Sequence, residues 1–166
     1  DTLFELLMEK ISSDMEWIYV SKNSTLSTQM LQKIEEHNIP NATVNVLRHN
    51  RVDSNTVNKY LTLRDKIFNI ALGHNEALSA DQFQILYDTE DYDVHLSLAS
   101  NTQTPKSIIV KLFTQQDFNI GHCLASNTAT PLPFLLQLML DNTLKMIVSE
   151  NPTYRDDAKS KIGHMQ

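Results

Sequence analysis

The residues best suited to metal binding or acid–base chemistry are six histidines, one cysteine and two runs of carboxylates. His49 and His74 each directly precede an asparagine, so a repeating fold would stack them in neighbouring units. Packed helices lie about 8–10 Å apart, and two imidazoles at that distance need a third ligand to hold a metal. The matching places elsewhere carry Lys22, Ser100, Ser126 and Glu150, which supply none. His49 and His74 are therefore expected to be exposed loop histidines, and His95 and His122 are read the same way. Asp88, Glu90, Asp91 and Asp93 crowd one turn but lack the glycine and closing glutamate of a calcium loop. Asp156 and Asp157 read as a solvated acidic pair. Cys123 occupies a position filled elsewhere by Val46, Ala71, Ser97 and Ile147, which suggests a small buried side chain. There is no HExxH pair, glycine-rich phosphate loop or nucleophile elbow. No catalytic set, metal or cofactor is expected, and an enzyme is not the reading the sequence favours.

The elements that position these residues are set by a repeat. Asn23, Asn50, Asn75, Asn101, Asn127 and Asn151 recur at near-equal intervals of about 24–27 residues. Three residues before each lies an aliphatic: Val20, Leu47, Leu72, Leu98, Leu124 and Val148. Eleven residues after each lies another: Ile34, Leu61, Leu86, Leu112, Leu138 and Ile162. One polar and two apolar positions recurring in that register mark a tandem array whose units stack to share a core. Ser27, Asp53, Ser79 and Thr104 are the expected N-caps of a longer helix in each unit, and Gln82 completes a capping box with Ser79. A short α or 3₁₀ turn is expected before each asparagine. The asparagines are read as a structural ladder, because a side-chain amide both donates and accepts at a turn that leaves backbone groups unpaired. The array predicts seven longer helices. Residues 1–22, with Leu3, Phe4, Leu6, Leu7 and Ile11, form an N-terminal cap, and residues 151–166 a degraded final unit.

Leu98-Ala99-Ser100-Asn101-Thr102-Gln103-Thr104-Pro105 and Leu124-Ala125-Ser126-Asn127-Thr128-Ala129-Thr130-Pro131 are near copies. Preceded by Asp93-Val94-His95, they resemble the unit of the leucine-rich repeat variant family over roughly residues 91–151. His95 and Gly121 stand where that family usually has arginine, and proline follows the asparagine only at Pro152. The resemblance implies an all-α, right-handed, HEAT-like solenoid of about six units with alternating short and longer helices. The family's archetype also carries an iron–sulfur cluster on a cysteine-rich segment, and nothing here matches that segment. The family implies no single activity, and its repeats serve mostly as binding scaffolds.

Composition agrees with a folded domain, at 41% hydrophobic and 20% charged over 166 residues, read as one domain. A net charge of −6 repels phosphate backbones on average. No apolar run reaches the ~20 residues that span a bilayer, and no signal peptide is visible, so the cytoplasm is the expected compartment. Two surfaces remain for function. Leu132, Leu136 and Leu140 form an apolar stripe where other units are polar, with Val110 beside it, and an exposed patch of that kind marks a contact with a protein partner or a second copy. The competing reading is nucleic-acid binding through Arg48, Arg51, Lys59, Arg64 and Lys66, opposed over residues 48–66 only by Asp53 and Asp65. The function expected from the sequence is a non-catalytic protein–protein interaction module.

Overall fold

Polar caps at a fixed interval set where this chain becomes helical. The computed structural model describes residues 6–163, and every regular element in that span is an α-helix. Leu3, Phe4 and His164 lie outside the described residues, as do the side chains of Ala158 and Ile162. The helices are α1 (Asp14–Ser21), α2 (Thr28–Glu36), α3 (Pro40–Leu47), α4 (Ser54–Leu63), α5 (Lys66–Gly73) and α6 (Ala80–Tyr87). They continue with α7 (Tyr92–Ser100), α8 (Lys106–Thr114), α9 (Phe118–Ser126), α10 (Leu132–Leu138), α11 (Lys145–Glu150) and α12 (Pro152–Gly163). The all-α class expected from the sequence is the class found.

The chain divides into two compact units, Asp1–Leu78 and Ser79–Gln166. In the first, α3 packs between α1 and α5, with α2 against α1 and α3, and α4 against α5. Its core gathers Trp17, Leu26, Leu31, Ile34, Ala42 and Val46, with Met8 and Ile11 packed against them. Leu6 and Leu7, read from the sequence as part of an N-terminal cap, are exposed. In the second unit α9 packs between α7 and α11, while α8 and α10 lie against α9. One cluster there joins Ala125, Leu135 and Val148. Of the expected core positions, Ile34, Leu61, Leu86 and Leu112 are buried, whereas Leu138 is only half-buried.

Equivalent caps recur from repeat to repeat. Ser13, Asp65, Asp91 and Asp117 precede α1, α5, α7 and α9, and each side chain accepts a first-turn N–H. Ser27, Asp53 and Ser79 do the same for α2, α4 and α6, and Ser79 forms the expected capping box with Gln82. The register then passes to Pro105 and Pro131, which precede α8 and α10 without a capping bond. Thr104 is therefore not the cap expected. Its hydroxyl donates to Leu98 O at 2.7 Å, as Thr130 does to Leu124 O at 2.8 Å, because the turn buries both threonines against helix-end carbonyls that also take the Asn101 and Asn127 N–H groups.

The expected alternation of short and longer helices is found only in the last pair, α11 and α12, of 6 and 12 residues. Helices α1, α3, α5, α7 and α9 run 8, 8, 8, 9 and 9 residues. Their partners α2, α4, α6, α8 and α10 run 9, 10, 8, 9 and 7. The aspartate caps at 65, 91 and 117 start the supposedly short helices early enough for two full turns.

The six asparagines expected to form a ladder differ in burial and in partners. Asn75, Asn101, Asn127 and Asn151 are buried, whereas Asn23 and Asn50 are exposed. Asn75 Nδ2 donates to Leu47 O and His49 O at 2.9 and 3.0 Å. Asn127 Nδ2 reaches Ala99 O and Asn101 O at 2.8 and 3.0 Å, and Asn151 Nδ2 reaches Ala125 O and Asn127 O at 2.9 and 3.1 Å. The Oδ1 atoms of Asn23, Asn75, Asn101, Asn127 and Asn151 accept the backbone N–H two residues on. In the second repeat this place belongs to His49, not Asn50. His49 Nε2 lies 2.9 Å from Ser21 O, at the same offset along the chain as Asn75 from Leu47. A ring N–H and an amide N–H serve the same carbonyl, so Asn23, His49, Asn75, Asn101 and Asn127 keep one unbroken interval. Asn50 points outward and bonds Glu76.

Candidate functional site

The turns after α1 and α3 are tied together by side chains whose hydrogen bonds cross one repeat. Asn45 Nδ2 donates to Ser21 Oγ at 2.9 Å, His49 joins Ser21 O, and Arg51 Nη1 donates to Thr25 O and Leu26 O, both at 3.2 Å. These bonds floor an open pocket of about 510 Å³ within the first unit. Lys22, Ser24, Arg48, Asn50 and Arg51 line it, and no lining residue is acidic. Lys22, Arg48 and His74 follow the ends of α1, α3 and α5 in the same register of successive repeats. A cation there also complements the helix dipole. His74 keeps part of its surface in water, yet burial, and then the Arg48 guanidinium, hold its imidazole below the usual histidine range.

The structure splits the five basic residues proposed for nucleic acid. Arg48 and Arg51 line the pocket; Lys59, Arg64 and Lys66 do not. Lys59 pairs with buried Glu35 at 2.7 Å, and Tyr60 Oη donates to the same carboxylate at 2.5 Å. Burial, followed by that hydrogen bond and the Glu35 charge, pushes the Tyr60 phenol up to about 12. Arg64 ends α4 in the left-handed region with φ 54°, and Lys66 opens α5. Lys22 escaped the sequence reading because it lies one repeat upstream of the basic run; its signal was the shared register with Arg48.

The apolar surface is also redistributed. Val110, Leu136 and Leu140 are 39%, 45% and 84% exposed, whereas Leu132 is half-buried. The expected stripe from Leu132 to Leu140 does not form, because α10 ends at Leu138 and Leu140 has left the helix. Val110 and Leu136 remain at equivalent positions, one repeat apart, on helices linked by the stacked rings of Phe113 and Phe134, 4.6 Å between centroids. A second pocket of about 370 Å³ lies in the same unit, with Phe113, Phe118, Leu138 and Leu144 among its walls. Gly121 also lines it, and a Cβ there would stand 3.4 Å from Leu138 Cδ2 and 3.7 Å from Leu144 Cδ1, in ordinary contact with two leucines of the wall. Leu138 is half-buried because it forms one wall of this pocket.

The histidines serve structure in different ways. His95, expected to be exposed, is buried. Its ring stacks on Tyr87 at 4.7 Å, Nε2 meets Tyr87 O at 2.8 Å, and Nδ1 meets Gln115 Nε2 at 3.1 Å. Since a carbonyl only accepts and the amide nitrogen only donates, Nε2 carries the proton and Nδ1 accepts. His37 stacks on Trp17 at 3.8 Å, and His122 is exposed. Cys123 is half-buried. Among the described residues no three His, Cys, Asp or Glu side chains converge as a metal-ligand group, and no helix is long and apolar enough to cross a membrane. No protein-family model, curated protein or solved structure matches this chain.

Proposed function

We propose that this chain is a right-handed helical solenoid, similar in build to the leucine-rich repeat variant family, and that it works as a non-catalytic scaffold for a protein partner. The observation that carries the reading is the pair Val110 and Leu136, exposed at equivalent positions of neighbouring helices. Other side chains at repeated positions, including His49, Asn75, Thr104, Asn127 and Thr130, are spent on carbonyls within the fold. Exposed aliphatics in register present the kind of surface that an apolar segment of another protein covers. Leu136→Glu tests this, with the helical signal in circular dichroism confirming the fold. The expected result is that a protein cross-linked to the parent is no longer recovered with the variant, while light scattering gives the same mass for both. A parent of twice the mass that the variant halves would make a second copy the partner. Unchanged mass together with unchanged recovery would remove the patch from consideration.

Nucleic-acid binding is the competing reading. It is weakened by the pairing of Lys59 with Glu35 and by the absence of Arg64 and Lys66 from the basic pocket. Retention on duplex DNA that weakens steeply with salt, and that Arg48→Gln reduces, would favour it over the scaffold reading.

A further inference from the structure

The basic pocket of the first unit has a different chemistry from the apolar surface of the second, and an inference about it rests on the scaffold reading. We propose that the pocket lined by Lys22, Arg48 and Arg51 receives a compact oxyanion, a phosphorylated or carboxylate side chain, carried on a short segment of a protein partner. Lys22, Arg48 and Arg51 line one space with Ser24 and Asn50, Lys22 Nζ lying 5.5 Å from the Tyr19 ring centroid, and no lining residue is acidic. The floor is preorganised. Asn45, Ser21 and His49 are held by cross-repeat hydrogen bonds, and Arg51 is anchored through Nη1 to two carbonyls, which fixes the plane of its guanidinium. An anchored guanidinium loses little further freedom on meeting an oxyanion, and its fork geometry matches phosphate or carboxylate. Arg48 and Lys22 are exposed and complete the charge. Glu76 stands beside the pocket, its backbone N–H donating to Asn50 Oδ1 at 2.9 Å and its carboxylate accepting from Asn50 Nδ2 at 3.4 Å, which disfavours an extended run of negative charge.

Two observations favour a peptide-borne group over a nucleic acid. A pocket of about 510 Å³ accommodates a side chain and its flanking backbone, whereas a duplex needs a basic face that tracks many phosphates. The chain as a whole carries −6, which repels a polyanion at distance but leaves a single oxyanion at a local cationic pocket little affected.

The test uses the full chain and immobilised peptide libraries that share degenerate flanks around a central phosphoserine, glutamate or serine. Inorganic phosphate and a short DNA duplex serve as further probes. The expected result is binding to the phosphoserine library, the glutamate library or both, at least about tenfold tighter than to serine. Which of the two libraries binds tells a phosphate from a carboxylate source. Arg48→Gln and Lys22→Gln should each weaken that binding about tenfold with helical content unchanged. Both side chains are exposed, so neither variant endangers the fold. Equal binding to all three libraries overturns the proposal. So does tighter binding to the duplex, response to inorganic phosphate only, or binding that neither variant alters. Leu136→Glu keeps this pocket intact, so retained peptide binding with lost partner recovery, or the reverse, separates failure of this inference from failure of the scaffold reading.

Discussion

Asn38, Arg64, Glu90 and Gln116 adopt φ values of 55°, 54°, 56° and 54°, one in each of four successive repeats. Each sits one residue before the cap position of an odd-numbered helix, where the chain reverses out of the preceding helix. Asparagine tolerates this left-handed conformation, but Arg, Glu and Gln meet the Cβ–carbonyl clash at a cost of about 1–2 kcal/mol. Glu90→Gly should therefore raise stability by up to about 1 kcal/mol, the relieved strain being partly offset by the entropy of an unfolded glycine. Glu90→Val should lower it by at least about 1 kcal/mol, and urea denaturation of the two variants checks the difference in sign. Tyr60 gives a pH prediction. Its folded value of about 12 lies above the ordinary 10.0, so the stability it contributes is complete below pH 10 and is lost as pH rises towards 12. Tyr60→Phe should flatten the stability profile in that alkaline window, and an unchanged slope would show that Glu35 and burial do not hold the phenol neutral. His74 has the opposite sense. Its lowered value means that stability is lost as pH falls below 6.5, and Arg48→Gln should move its imidazole resonance titration upward.

At the scale of the element, a helix in this chain ends where a side chain one repeat later collects its carbonyls. Asn127→Leu would strand Ala99 O, leave Asn101 O with only the Thr104 N–H, and leave the Ala129 N–H without its acceptor. Each buried group left unpaired costs about 1–3 kcal/mol, which the added apolar volume does not recover. Asn50→Leu should cost less than about 1 kcal/mol, because Asn50 is exposed. His49→Ala should exceed it, since His49 occupies the rung. Thermal denaturation of these three variants orders them, and an Asn50 variant less stable than the His49 variant would return the ladder to its sequence register.

At the scale of the whole molecule, the proposed solenoid predicts that one repeat can be removed in register. Deleting residues 105–130 joins Thr104 to Pro131, the same dipeptide that the chain already has at Thr104-Pro105. Nearest-neighbour stacking predicts a folded, helical protein of reduced stability. A chain that instead loses its cooperative transition would argue against stacked equivalent units. Leu112→Ala, at a fully buried position, should cost about 2–5 kcal/mol, read from the denaturation midpoint.

The sequence by itself determined the all-helical class, the near-constant repeat interval, the caps at Ser27, Asp53 and Ser79, and the buried Ile34, Leu72, Leu86, Leu98, Leu112 and Leu124. These were legible because capping and helical periodicity act over three or four residues, so a local pattern is enough to specify them. Tertiary structure alone decided that His49 and not Asn50 fills the second rung, that Lys22 joins Arg48 and Arg51 around one pocket, and that Lys59 turns to Glu35. It also decided that Leu132 is half-buried while Leu136 is exposed. Those outcomes depend on partners a full repeat away. At such a position histidine and asparagine are interchangeable as donors to a carbonyl, so residue type does not reveal which of two neighbours faces inward.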